Sequence, residues 1–220
     1  MDNLRILIAK EFQLELRRKS VLSGLGLYLF SIVFICYLTF SLRQNLITPP
    51  VWSALFWITV VFTVINAVAK SFIGERKGRD IYYYSIAGPE VIILSKIIYN
   101  FFLCLVMSIA ALSLFFLFLG NPVQDLLLFS GVVVLTSFGF AASLTLLSGI
   151  AAKTTSSHIL MAVLGFPVVI SILLLAIKVT KNCLDGLDRS LSLDEMLILA
   201  AINCLVTAMS YLLFPYIWRS

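Results

Sequence analysis

The chain has 220 residues, 61% of them hydrophobic, and a formal net charge of +5. A mean hydropathy of +1.06 excludes an ordinary soluble domain, where apolar residues make up about half of the chain. The basic excess sits in short clusters between apolar stretches, where retention of Lys and Arg at the cytoplasmic ends of membrane helices accounts for it, so nucleic acid is not an expected partner.

Residues 1–20 read as an amphipathic helix that lies in the membrane interface. Leu4, Leu7, Ile8 and Phe12 recur at helical spacing, while Arg5, Lys10, Glu11, Glu15 and Arg17 fall mostly elsewhere, so the apolar side is expected among acyl chains. No cleavable leader is expected, and the first span serves as its own insertion signal. That span, 21–42, is long enough to cross about 30 Å of hydrocarbon. It starts inside behind Arg17, Arg18 and Lys19 and exits at Arg43, after which Pro49-Pro50 breaks the helix. The second span, 51–69, returns with Trp52 and Trp57 toward its outer end, as an aromatic belt predicts.

Lys70 to Lys96 is the only long polar insertion. It sets Lys70, Arg76, Lys77, Arg79 and Lys96 against Glu75, Asp80 and Glu90, and its basic bias keeps it cytoplasmic. A short helix over 78–87 carries Tyr82, Tyr83 and Tyr84, and Gly88-Pro89-Glu90 reads as a stop followed by a helix start. This loop, with Glu75, Arg76, Lys77, Arg79, Asp80 and the three tyrosines, is the candidate coupling site, where another protein pushes or pulls on the membrane helices.

The third span covers 91–119, and Gly120-Asn121-Pro122 signals a turn in which Asp125 is the one charge before the fourth span, 126–151. The fourth span is rich in small residues. Gly139 with Ser143, and Thr145 with Gly149, stand four apart and let helix backbones approach closely, which places this span in the middle of the bundle. The fifth span, 159–177, contains Pro167, which deletes a backbone bond and permits a kink. Residues 178–195 form the longest outer segment, with mixed charge. The sixth span, 196–217, ends with Trp218 and Arg219 inside. The fold class is therefore an all-α integral membrane protein, one domain over 1–220, with six transmembrane helices after an N-terminal interfacial helix and both termini cytoplasmic.

Chemistry-bearing groups are sparse. No carboxylate lies in the middle of a span and the single histidine, His158, sits at a cytoplasmic boundary, which argues against a self-powered secondary transporter. Asn66, Asn100 and Asn203 are the span amides, with interhelical hydrogen bonding as their default role and substrate contact as the other reading. The run Gly149 to Thr154 falls short of a phosphate-binding loop, because the two glycine positions hold Leu147 and Ala152; ATP hydrolysis is expected in another chain. Cys36, Cys104, Cys183 and Cys204 show no metal-ligand spacing, and Cys183 is expected in the outer loop as a free thiol or paired with a partner. One histidine cannot make a bis-histidine haem site. Tyr82 to Tyr84 suit stacking on a ligand, or interfacial anchoring and partner packing. No catalytic, cofactor-binding or metal-binding residue is expected in this chain.

Glu75-Arg76 after the second span, Pro89 and Leu94-Ser95-Lys96 closing the loop, the run GFAASLTLLSGIAAKT and then HILMAVLGFPVVISILLL together resemble the CcmB family. This is the permease subunit of the ABC-type haem exporter of cytochrome c maturation, related to six-span ABC-2 exporters. The similarity covers essentially the whole chain and is most specific around Pro167. Two features depart from the family pattern: Ser171 stands where a second proline is common, and the loop is shorter and lacks an acidic-Gly-x-Leu-Glu stretch. The resemblance implies a multi-pass protein of the bacterial inner membrane. It also implies a cytoplasmic ABC ATPase partner, a haem-handling membrane protein, a periplasmic haem chaperone and two permease copies per complex. ATP use would be tied to release of the haem-loaded chaperone.

From the residues, an ATPase that grips 70–96 tilts spans two and three against the small-residue face of span four. The competing readings are an ABC-2 permease for a lipid, drug or glycan, and a membrane scaffold that transports nothing. A membrane enzyme is the weakest, for want of a catalytic constellation.

Overall fold

The computed structural model describes residues 2–17, 19–41, 47–68, 88–152 and 157–219. Among these described residues seven α-helices follow one another: α1 (Asp2–Arg17), α2 (Lys19–Ser41), α3 (Pro49–Val68), α4 (Pro89–Leu119), α5 (Leu126–Ala152), α6 (Ser157–Asp185) and α7 (Leu193–Arg219). Among the described residues, all but α1 are long and apolar enough to cross a membrane. Helices are the natural outcome, because in hydrocarbon every backbone N–H and C=O must find its partner within the segment.

α5 is the hub and packs against α3, α4, α6 and α7. α3 and α5 bury 56% of their apolar stretches against 17% for α2, so the small-residue helix is indeed central and α2 is peripheral. Gly139, Ser143 and Gly149 are all buried on α5. From α2 onward successive helices alternate in direction, while α1 runs in the same sense as α4 (Leu7 beside Ile92, Phe12 beside Tyr99), so the bundle has a near end, where α1 lies, and a far end.

Among the described residues, two glycine turns lie at the far end. Gly120 ends α4 at φ +81° and Gly186 follows α6 at φ +63°, conformations that a side chain rarely adopts. Asp125 caps α5 by accepting hydrogen bonds from the Leu127 and Leu128 N–H groups, each at 3.1 Å. Arg189, just beyond the end of α6, grips the same carboxylate, at 2.6 Å through Nε and 3.1 Å through its terminal nitrogen. The Arg189 hydrogen bonds, then the backbone donors, hold the Asp125 carboxyl below its ordinary value.

Three expectations are corrected here. The segment from 178 onward is not an extended outer loop: α6 continues to Asp185, and after a turn a 3-10 helix (Arg189–Ser192) leads directly into α7. Charges on Lys178 and Lys181 do not stop the helix, because both side chains are exposed where the apolar stretch ends, and Lys178 pairs with Glu195 at 2.5 Å. Cys183 accordingly lies on α6, fully buried, and its carbonyl accepts hydrogen bonds from the Gln124 and Asp125 N–H groups at 3.1 and 3.3 Å.

Trp52 and Trp57 do not form an outward aromatic belt; each is 1% exposed. A cluster with Phe56, Phe115 and Phe129 draws Trp52 inward. Its indole N–H donates to the Gly120 carbonyl at 3.2 Å, and that of Trp57 donates to Thr180 at 3.0 Å. Pro167 sits inside α6 on an exposed face, and Ser171 Oγ donates to the Pro167 carbonyl at 2.9 Å.

Candidate functional site

The loop residues Glu75, Arg76, Lys77, Arg79, Asp80, Tyr82, Tyr83 and Tyr84, and the helix expected over 78–87, lie outside the described residues. What the structure describes is the base on which that loop stands. α4 begins at Pro89, whose missing N–H is no loss in a first helical turn, and Glu90 lies in the same turn, where a carboxylate suits the positive end of the helix.

Lys96, read from sequence as the last cation of the polar loop, is two turns inside α4 and 1% exposed. Its ammonium lies 3.4 Å from the carboxylate of Glu11 on α1, which also receives Lys10 at 2.9 Å. Burial pushes the Glu11 carboxyl up, but the charges of Lys96 and Lys10 and their hydrogen bonds outweigh it, and the group stays below its ordinary value. The apolar side of α1 is likewise spent on protein. Leu7 is buried with Ile92, Ile93, Ile97 and Phe214, and Phe12 meets Tyr99 edge-on at 5.2 Å. α1 therefore rests on α4 and the end of α7, in place of the purely lipidic setting its amphipathic pattern suggested.

From this base a polar seam runs along the contact of α4 with α5. Asn100 donates to Thr145 Oγ1 at 2.7 Å, and Ser108 and Ser137 meet at 3.2 Å. Both contacts belong to one antiparallel register, eight residues apart on each helix, or about 12 Å at 1.5 Å per residue. On another face of α5, Gly139 admits Asn203 of α7 and Ile172 of α6, and Asn203 Nδ2 donates to the Leu135 carbonyl at 2.8 Å. Ser143 Oγ turns back to the Gly139 carbonyl at 2.7 Å, so it fills space without reaching a neighbouring helix.

Of the three span amides, Asn100 and Asn203 thus bridge helices. Asn66 does not, since it is exposed and donates to Phe62 of its own helix at 2.9 Å. The Glu11 pairing was missed because its partner is 85 residues away; the only local hint was a carboxylate on the polar side of α1. The base of α4 is thus tied to α1 by a buried ion pair, and α4 is tied to α5 by two register-specific hydrogen bonds. Among the described residues, no group of three His, Cys, Asp or Glu side chains could hold a metal ion.

No curated protein and no solved structure matches the chain. The family model described as CcmB protein matches residues 2–216. With that match spanning six helices able to cross a bilayer, this multi-pass membrane protein belongs to the CcmB family.

Proposed function

We propose that the chain is the permease subunit of an ABC-type complex that serves haem export and haem-chaperone release in cytochrome c maturation, powered by a separate cytoplasmic ATPase. The observation that carries this reading is the family match over 2–216. The chain itself is non-catalytic and binds no cofactor; haem is cargo handled by the complex, and ATP is used by the partner. It sits in the bacterial inner membrane with both termini and residues 70–96 cytoplasmic, and α1 lies in the cytoplasmic interface. Its partners are the ATPase, a haem-handling membrane protein, a periplasmic haem chaperone and a second permease copy.

The ATPase grips the loop around Glu75 to Tyr84, and its two nucleotide states bind the loop differently, since only differential binding shifts a two-state bundle. The motion expected from sequence, spans two and three tilting against span four, is refined by the seam: Asn100 with Thr145 and Ser108 with Ser137 favour α4 and α5 moving as one body, with α1 carried along by Glu11 and Lys96.

A mild-detergent pull-down of the tagged chain, with mass spectrometry of partners and an absorption spectrum, tests the reading. An ATPase recovered with cytochrome c assembly proteins supports it. An ATPase without them points to an ABC-2 exporter of another substrate, and no ATPase in a preparation that preserves other complexes points to a scaffold.

A further inference from the structure

At the far end, a cleft of about 260 Å³ opens between the first turns of α3 and the last turns of α6. Pro49, Pro50, Ile177 and Leu184 give it apolar walls, and Ser53, Lys181 and Asp185 supply its polar groups. It falls below the roughly 300 Å³ at which pockets begin to enclose whole small molecules, so it suits the neck of a longer ligand whose ends extend beyond it.

Two independent observations say what that ligand is. Ser53 is 4% exposed, and its hydroxyl is buried with no hydrogen-bond partner. Ser31, Ser113, Ser143 and Ser171 all donate to a carbonyl one turn back on their own helices; Ser53, on the wall of the cleft, does not. A buried hydroxyl without a partner is costly, and it favours a ligand that brings an acceptor. Lys181 and Asp185 then stand one helical turn apart on the rim, both exposed. Their neighbours Lys178 and Arg189 are committed to Glu195 and Asp125, whereas Lys181 and Asp185 have no ion-pair partner among the described residues. A cation and an anion about 5–6 Å apart at their Cβ atoms are complementary to a zwitterion.

We propose that this cleft binds an aminophospholipid of the surrounding leaflet. Its glycerol and upper acyl chain lie against Pro49, Pro50, Ile177 and Leu184, the Ser53 hydroxyl donates to an ester carbonyl, Lys181 pairs with the phosphate and Asp185 with the primary ammonium. A glycerol headgroup offers Asp185 neutral hydroxyls in place of a cation and leaves the lipid's net negative charge beside the carboxylate uncompensated, and a choline headgroup brings no N–H for the carboxylate. The bound lipid joins α3 to α6 where the apolar stretch of α6 gives way to its charged last turns.

The test is native mass spectrometry of the delipidated full chain titrated with phosphatidylethanolamine, phosphatidylglycerol and phosphatidylcholine of identical acyl chains. Phosphatidylethanolamine is expected to be retained about tenfold more tightly than either of the others, and Lys181→Ala or Asp185→Ala, both at exposed positions, to remove most of that preference. Equal retention of the three lipids, or a preference that survives both substitutions, overturns the proposal. So does a preference for phosphatidylglycerol that depends on Lys181 and not on Asp185. Ser53→Ala is expected to weaken the phosphatidylethanolamine adduct while raising the thermal midpoint of the lipid-free chain; unchanged binding in that variant counts against the ester contact.

Discussion

The side-chain oxygen of Asn203 occupies the space in which a Cβ on Gly139 would sit. The amide of the same side chain holds the Leu135 carbonyl, so one residue of α7 is fitted to α5 by shape and by hydrogen bond together. Gly139→Ala should force α5 and α7 apart and cost about 1–3 kcal/mol, the usual range for overpacking a close contact. Thermal unfolding in detergent would show it as a lowered midpoint. Asn203→Ala in the same chain should relieve the overlap, so the double variant should lose less than the sum of the two single losses. Strict additivity would show that the contact does not constrain the helices.

Glu11→Gln should cost about 3 kcal/mol, because it takes a carboxylate away from the deeply buried Lys96 ammonium. Replacing both partners, Glu11→Leu with Lys96→Met, should be far milder for the same reason. The pair also dictates a pH dependence. The Glu11 carboxyl titrates below its ordinary value in the fold, so its contribution is fully present above the unfolded-chain value of about 4.3 and is lost as pH falls through the folded-state value. Acidification below about pH 4 should therefore narrow the stability gap between the wild type and Glu11→Gln. A gap that stays constant down to pH 3 would mean that the carboxylate is not what holds α1 to α4.

Thr145→Val removes a hydroxyl with little change of volume and should cost about 0.6–1.7 kcal/mol, from the average to the maximum found for interhelical hydrogen bonds in a membrane protein. Ser137→Ala should fall at the low end of that range. About 12 Å separates the two contacts along α5, so their costs should add within about 0.5 kcal/mol. A strongly non-additive pair would instead mean that breaking one contact lets α4 slip and lose the other.

Reversing Arg76, Lys77 and Arg79 to Glu should abolish co-purification of the ATPase while the chain remains inserted in the membrane. The measurement is ATPase recovery normalised to membrane-extracted permease, and unchanged recovery would remove the loop from the coupling role.

The spans were legible because bilayer thickness imposes a length on them, and few soluble designs imitate 20 or so apolar residues in a row. The central place of α5 was legible too, since Gly139, Ser143 and Gly149 have no use on a lipid face. What the sequence concealed was the direction in which side chains turn. Trp52 and Trp57 fit a belt by position, yet phenylalanines from α4 and α5 drew Trp52 inward and Thr180 of α6 held Trp57 there. Lys178 and Lys181 looked like a helix end, but a lysine at the end of an apolar stretch keeps its stem on the helix and its charge in water. Lys96 misled in the opposite sense, because a cation can be buried once a distant carboxylate meets it, and spacing along the chain does not reveal that meeting.

Synthesis order gives the ion pair at the base of α4 a further meaning. Glu11 leaves the ribosome 85 residues before Lys96, so the carboxylate is already waiting at the membrane when α4 emerges. On that order a helix carrying a buried ammonium would find a carboxylate already made, and α1 would favour the insertion of its neighbour before the finished bundle exists. Chains that lack α1 should fail while being made, well before any partner could recognise them.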